Sequence, residues 1–172
     1  MRLRAALAFT LVISPAFADM PPRKAGLWEV QTKFSIDGRE GARPTTVAHY
    51  CIDAATEQLM GAIRSRLDSE RCRAGETHRA GYSITTEWSC KVGDMTTTSR
   101  RVVTAKSDIA YTVTTISQSE GGRLAPGQRT EMLITTEGKW IGVCAADQRP
   151  GDIITNGRTT NIRDPQPSGG LY

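Results

Sequence analysis

Residues that carry catalysis are scarce in this chain of 172 residues. Histidine occurs twice, as His49 and His78, and aromatic side chains make up 6% of the sequence. Neither histidine belongs to a His-Glu-x-x-His helix, and no serine sits in a Gly-x-Ser-x-Gly elbow. Glu120-Gly121-Gly122 runs into Arg123-Leu124-Ala125-Pro126-Gly127, without the lysine or the helix start of a phosphate-binding loop. No long run of Lys and Arg tracks a nucleic-acid backbone, and so few aromatics give bases or sugars no stacking platform. No Cys-x-x-Cys pair occurs, so a zinc site lacks its ligand spacing. These absences argue against an enzyme, a nucleic-acid binder, and any metal or cofactor.

A run long enough to span a bilayer is also missing, because the apolar stretch Ala5 to Ile13 is too short. Arg2 and Arg4 precede that stretch, Pro15 ends it, and Ala16-Phe17-Ala18 follows. A basic flank, a short apolar core and small residues at a cut site make residues 1–18 a secretory signal peptide. Cleavage between Ala18 and Asp19 leaves no membrane span, and the residue directly after the cut is Asp19, not a cysteine that could carry a lipid. The expected location is the periplasm or the cell exterior. Arg2 and Arg4 account for two of the four net positive charges, so the mature chain is nearly neutral.

All four cysteines, Cys51, Cys72, Cys90 and Cys144, lie in the exported part. An even count in an oxidising compartment reads as two disulfides. Tyr82-Ser83-Ile84-Thr85-Thr86-Glu87-Trp88-Ser89-Cys90 alternates as a half-buried strand, with Tyr82, Ile84, Thr86, Trp88 and Cys90 on one side. A turn at Ala80-Gly81 would set Cys72 opposite Cys90. That pairing leaves Cys51 with Cys144, a bond that would tie the second strand to the last and help close the sheet.

Trp28, Val30, Thr32, Phe34 and Ile36 alternate with Glu29, Gln31, Lys33 and Ser35 in the clearest strand of the chain. Asp37-Gly38 ends it, and Thr45 to Ile52 forms a second strand rich in β-branched residues. Asp53 reads as a helix N-cap, and Leu59, Met60, Ile63 and Leu67 recur at helical spacing behind it. From Cys72 to Cys144 short turns separate five or six further strands. Whether Arg129 to Cys144 is one bulged strand or a hairpin at Gly138-Lys139 stays open at this level. The fold class is mainly β (α+β): an antiparallel meander sheet curled into a half-barrel or barrel around one short helix. Residues 19–144 form the single disulfide-stapled domain. Residues 145–172, punctuated by Pro150-Gly151, Asn156-Gly157 and Asp164-Pro165, read as a flexible tail in which only Ile153-Ile154 hint at docking.

His49 alternates with Val47 and Cys51 and reads as structural, and His78 sits by a turn. Glu29, Glu87 and Glu131 fall on polar strand faces, where carboxylates are usually just solvated. The threonines from Thr96 to Thr115 could present an ordered hydroxyl array, but they are also what any strand uses for β-propensity.

Lys24-Ala25-Gly26-Leu27-Trp28-Glu29-Val30, Cys51-Ile52 before a short helix, Trp88-Ser89-Cys90 and Ile141-Gly142-Val143-Cys144 together resemble the bacterial exported "domain of unknown function 3617" family. The resemblance covers roughly Lys24 to Cys144 and implies a small exported protein with no assigned activity, hence no catalytic residue to carry over. Family members often have a Met- and Pro-rich insert after the first strand, and here Arg39 to Pro44 takes its place.

Two functions are in view. A curled sheet over a helix could enclose a small hydrophobic or lipid-like ligand among Trp28, Val30, Phe34, Ile84, Trp88 and Leu59. Alternatively, an envelope protein could be recruited through a strand edge or the C-terminal tail.

Overall fold

The computed structural model describes residues 22–41, 43–61 and 72–164, with the side chain of residue 106 left aside. The expected signal peptide with its Ala18–Asp19 junction, the helix positions Ile63 and Leu67, and residues 165–172 lie outside the described residues.

Among the described residues ten strands run in order: β1 (Gly26–Ile36), β2 (Arg39–Glu40), β3 (Thr46–Ile52), β4 (Cys72–Ala80), β5 (Ser83–Val92), β6 (Met95–Ser107), β7 (Ala110–Glu120), β8 (Arg129–Gly142), β9 (Asp152–Thr155) and β10 (Arg158–Asn161). A helix, α1 (54–61), separates β3 from β4. The described residues are mainly β with one short helix, and every strand pairing among them is antiparallel. The sheet order is β10-β9-β3-β1-β8-β7-β6-β5-β4, with β2 paired to β1 alone. β4 to β8 form a meander of sequential neighbours, as short turns favour. The sheet is open, with β10 and β4 at its ends, so the half-barrel form of the expectation holds and the closed barrel does not.

Both expected disulfides form, Cys51–Cys144 and Cys72–Cys90. Cys72 lies directly opposite Cys90 in the β4–β5 ladder. Cys51–Cys144 does not close the sheet. β3 and β8 both flank β1, so this bond instead bridges across the start of β1. Gly26 lies under that crossing with φ 133°, and a Cβ there would overlap the carbonyl of Gly142 and the Trp140 indole. Only glycine fits.

The inner face of the sheet, the one carrying α1, holds the core. Trp28, Val30 and Ile52 are buried, with Tyr50, Met60, Tyr111 and Trp140 packed around them. These residues converge because the register sets Trp28 opposite Tyr50 on one side and Trp140 on the other. β8 is a single strand of 14 residues. Gly138 continues it because the Tyr111 ring lies where a Cβ would sit. The helix starts on a reciprocal cap: the Thr56 N–H donates to Asp53 Oδ1 at 2.7 Å, and the Asp53 N–H donates to Thr56 Oγ1 at 2.8 Å. Thr56 is fully buried by this arrangement, while Leu59 is only half-buried.

The tail reading needs correction. β9 and β10 form a hairpin, and β9 extends the sheet by pairing Ala48↔Thr155, His49↔Ile154 and Tyr50↔Ile153. Asn156 and Gly157 have φ of 52° and 75°, the left-handed pair of a two-residue hairpin turn. What looked like chain punctuation is a turn signal, and Ile153-Ile154 is its incoming strand. The Gly151 N–H donates to the Cys51 carbonyl at 2.7 Å, anchoring the hairpin beside the disulfide.

Candidate functional site

The six residues expected to line an interior cavity do not surround one space. Trp28, at 0% exposure, and Val30 are filled-core residues. The ring centroids of Trp28 and Tyr111 are 5.5 Å apart. The Arg23 guanidinium covers them, 5.6 Å from the Trp28 ring and 5.2 Å from the Tyr111 ring. Arg23 Nε donates to Glu57 Oε1 at 2.9 Å, and a second bond joins its NH2 group to Oε2, so the lead-in is clamped to α1. Burial pushes the Tyr111 hydroxyl above the usual tyrosine range, and the nearby Arg23 charge works against that shift. Phe34 lies further along β1, with the Arg43 guanidinium 5.7 Å from its ring. Ile84 and Trp88 are half-buried on β5, four strands away from β1, or about 19 Å at the usual strand spacing. Alternation along each strand and the meander itself were legible, but that β1 joins the meander at β8, four strands from β5, was not.

The outer face offers a different concavity. A cleft of about 420 Å³ opens beside Glu29, Gln31, Ile109, Glu137 and Lys139. Glu29 lies directly opposite Lys139 on β8 and His49 on β3. His49 Nε2 is 3.6 Å from Glu29 Oε2, with both side chains well exposed. Exposed pairs of this kind contribute little stability. The other charged residues singled out from sequence have surface partners too. His78 Nε2 is 3.0 Å from Glu76, Arg100 is 3.5 Å from Glu87, and the Gln118 amide donates to Glu131 at 3.1 Å. The threonine-rich strands use hydroxyls internally: Thr97 with Ser119, Ser99 with Ser117, and Ser83 with Thr104, each at 2.9 Å. These cross-strand pairs stand where a chain richer in aromatics would place apolar contacts.

One end of the sheet adjoins the cleft and was not singled out from sequence. There the two indoles hold the lead-in. Trp28 Nε1 donates to the Lys24 carbonyl at 2.8 Å, and Trp140 Nε1 donates to the Ala25 carbonyl at 3.1 Å. Around this junction Ile109 and Ile141 are each 45% exposed and Val143 is 80% exposed. The available signal was the alternation of Ile141 and Val143 just before Cys144, which entered the sequence analysis only as part of the family resemblance.

A family model described as a protein of unknown function (DUF3617) matches residues 23–144, more than two thirds of the chain. The chain belongs to the DUF3617 family. The DUF3617 match opens on Arg23 of the clamp and ends on Cys144, taking in both disulfides and stopping short of the β9–β10 hairpin. Comparison with curated proteins and with solved structures finds no match. Two disulfides in this DUF3617 protein fit an extracellular or periplasmic setting, and no described helix is long and apolar enough to cross a membrane.

Proposed function

We propose that this protein is a non-enzymatic interaction protein of the periplasm or cell exterior, recruiting its partner through the outer face of the sheet. The observation that carries this reading is the cleft of about 420 Å³ beside Glu29, Glu137 and Lys139, with Ile109 on its border. Its volume lies within the range of ordinary binding sites. Export rests on the Arg2, Arg4 and Ala16-Phe17-Ala18 pattern together with the two disulfides. The sheet edges are poorer candidates than the face. β4 carries Arg73, Glu76, His78 and Arg79, and its ladder is irregular between Ala74 and Thr77, both of which discourage strand addition. The C-terminal segment is partly used up in covering β3.

A second reading keeps some support. Ile84 and Trp88 are half-buried on the inner face, away from the packed Trp28 core, and could contact a small hydrophobic or lipid-like molecule. Photo-crosslinking residues placed separately at Ile109 and at Ile84, in cells exporting the full chain, separate the two. An adduct at Ile109 with none at Ile84 is the expected result. A small-molecule adduct at Ile84 alone moves the site to the inner face. No adduct at either position overturns the contact function.

A further inference from the structure

The two disulfides differ in what surrounds them. Cys51 is 1% exposed, and its carbonyl accepts the Gly151 N–H. A thiolate released from Cys51 would be buried, which makes it a poor leaving group. β1 also holds β3 on one side and β8 on the other, so the two sulfurs would stay close even if their bond broke.

Cys72 and Cys90 are both half-buried at the open end of the sheet. On their face the row continues from Cys90 into Thr97 and Ser119, whose hydroxyls are 2.9 Å apart. A thiolate leaving there meets hydroxyls and solvent, not packed carbon. Arg73 and Lys91 follow the two cysteines in sequence and are exposed, and the carboxylate of β5, Glu87, is paired with Arg100 at 3.5 Å. Local charge therefore favours the thiolate.

The ladder around this bond has a built-in break. Among the described residues β4 pairs with β5 alone. Its pairs Cys72↔Cys90, Arg73↔Ser89 and Ala74↔Trp88 are separated by a register shift from Thr77↔Thr86 and the pairs nearer the turn. A bulge of this kind interrupts the ladder. Residues 77–80 are next to the Gly81 turn and hold as a local hairpin. Residues 72–74 lie beyond the bulge, where the disulfide is their firmest link to β5.

We propose that Cys72–Cys90 is a thiol-exchange site, opened by a dithiol, whose reduction releases residues 72–74 and uncovers the β5 edge at residues 88–90. The inference goes beyond the outer-face contact function and does not depend on it. A thiolate of the dithiol attacks one cysteine sulfur, the S–S bond breaks, and the other sulfur leaves as a thiolate that takes up a proton. The second thiol of the reagent, losing its proton, attacks its own sulfur in the mixed disulfide. The first cysteine then leaves and is protonated in turn. Two electrons and two protons have passed to the protein, and the dithiol ends as a disulfide.

The test incubates oxidised protein spanning residues 19–172 with dithiothreitol, without denaturant. Samples taken over time are alkylated and mapped by peptide mass spectrometry. Cys72 and Cys90 should become labelled about tenfold or more faster than Cys51 and Cys144. Equal rates, faster labelling of Cys51 and Cys144, or a Cys72–Cys90 bond that opens only in denaturant overturns the assignment. Amide exchange on the selectively reduced protein should rise at residues 72–74 and 88–90, while residues 77–80 keep their protection. Unchanged exchange at residues 72–74 overturns the release. The variant C72S/C90S should show the same exchange pattern without reductant, with a free-thiol assay confirming that Cys51–Cys144 remains oxidised. The variant R73E/K91E should be reduced several-fold more slowly at Cys72–Cys90, and an equal rate overturns the part given to charge.

Discussion

Trp28 and Trp88 occupy similar places in two alternating strands, yet Trp28 is wholly buried and Trp88 only half so. The difference is what covers them. Trp28 lies under α1, the Arg23 clamp and the flanking rings of Tyr111 and Trp140. Trp88 sits on the next-to-last strand of an open sheet, opposite Ala74 on an edge strand exposed almost throughout. Tyr82, at the start of the same run, is 50% exposed. The two ends of one sheet are thus held differently. At the β3-β1-β8 end, burial dominates and a disulfide reinforces it. At the β5-β4 end, ladder hydrogen bonds and a disulfide do most of the work, because little apolar area leaves water. Covering one end tightly also leaves the opposite face of β1 and β8 free to form the open cleft.

The bond that bridges β1 should matter most. Replacing Cys51 and Cys144 together by alanine removes a crosslink of sequence separation 93. On the chain-entropy view this costs about 4 to 5 kcal/mol, read as a lower urea midpoint. A loss confined to the β9–β10 hairpin would mean that the core holds without the bond. Trp28→Ala should follow at about 3 to 5 kcal/mol, the usual cost of emptying a buried aromatic site. Trp88→Ala should cost clearly less, and equal losses would break the contrast between the two ends. Removing Cys72 and Cys90, separated by 18, should cost about 3 kcal/mol on the same entropy view. Hydrogen exchange sharpens this case: β4 and β5 amides should lose protection first, while those of β1 and β8 keep theirs. Uniform loss would make the sheet a single cooperative unit.

Most of the fold was readable because alternation, turn residues and cysteine parity act locally. Strand β1, the Cys72–Cys90 hairpin and the Asp53 cap follow from neighbouring residues alone. The order of strands in the sheet depends on long-range register, which a single sequence does not encode locally. For that reason Trp28 and Ile84 looked like partners and are not. The Asn156-Gly157 hairpin was missed for a different reason: Asn-Gly marks both turns and loose chain, and only the pairing of Ile153 and Ile154 with β3 decides between them. As for the site, Glu29 was singled out correctly as an outward carboxylate. The cleft around it was invisible because it is assembled from β1, β7 and β8, which lie far apart in sequence. Asp53→Ala tests the most local of these inferences. It removes the acceptor for the Thr56 N–H and should cost about 1 kcal/mol.

The smallest effect is expected from acid, and it also discriminates between the two ends. Asp53 is held below the usual carboxylate range by the Thr56 backbone and hydroxyl donors, assisted by Arg163. Asp152 is held down by the Arg149 N–H and by the Asn161 amide, which donates to it at 2.7 Å. Both folded-state values lie below the ordinary 3.8, so the unfolded chain takes up protons first as the pH drops. Their stabilisation is therefore complete above that value and is lost as the pH falls through the depressed values. Asp53 caps α1, and Asp152 opens β9, so both effects fall at the β3-β1-β8 end. Amide exchange followed downward from neutral pH should show β9 and β10 loosening while β6 and β7 keep their protection. Asp152→Asn should flatten that pH dependence, because the amide cannot titrate. If β9 and β10 in this variant still loosen over the same pH range as in the wild type, the hairpin is not held by the Asp152 carboxylate.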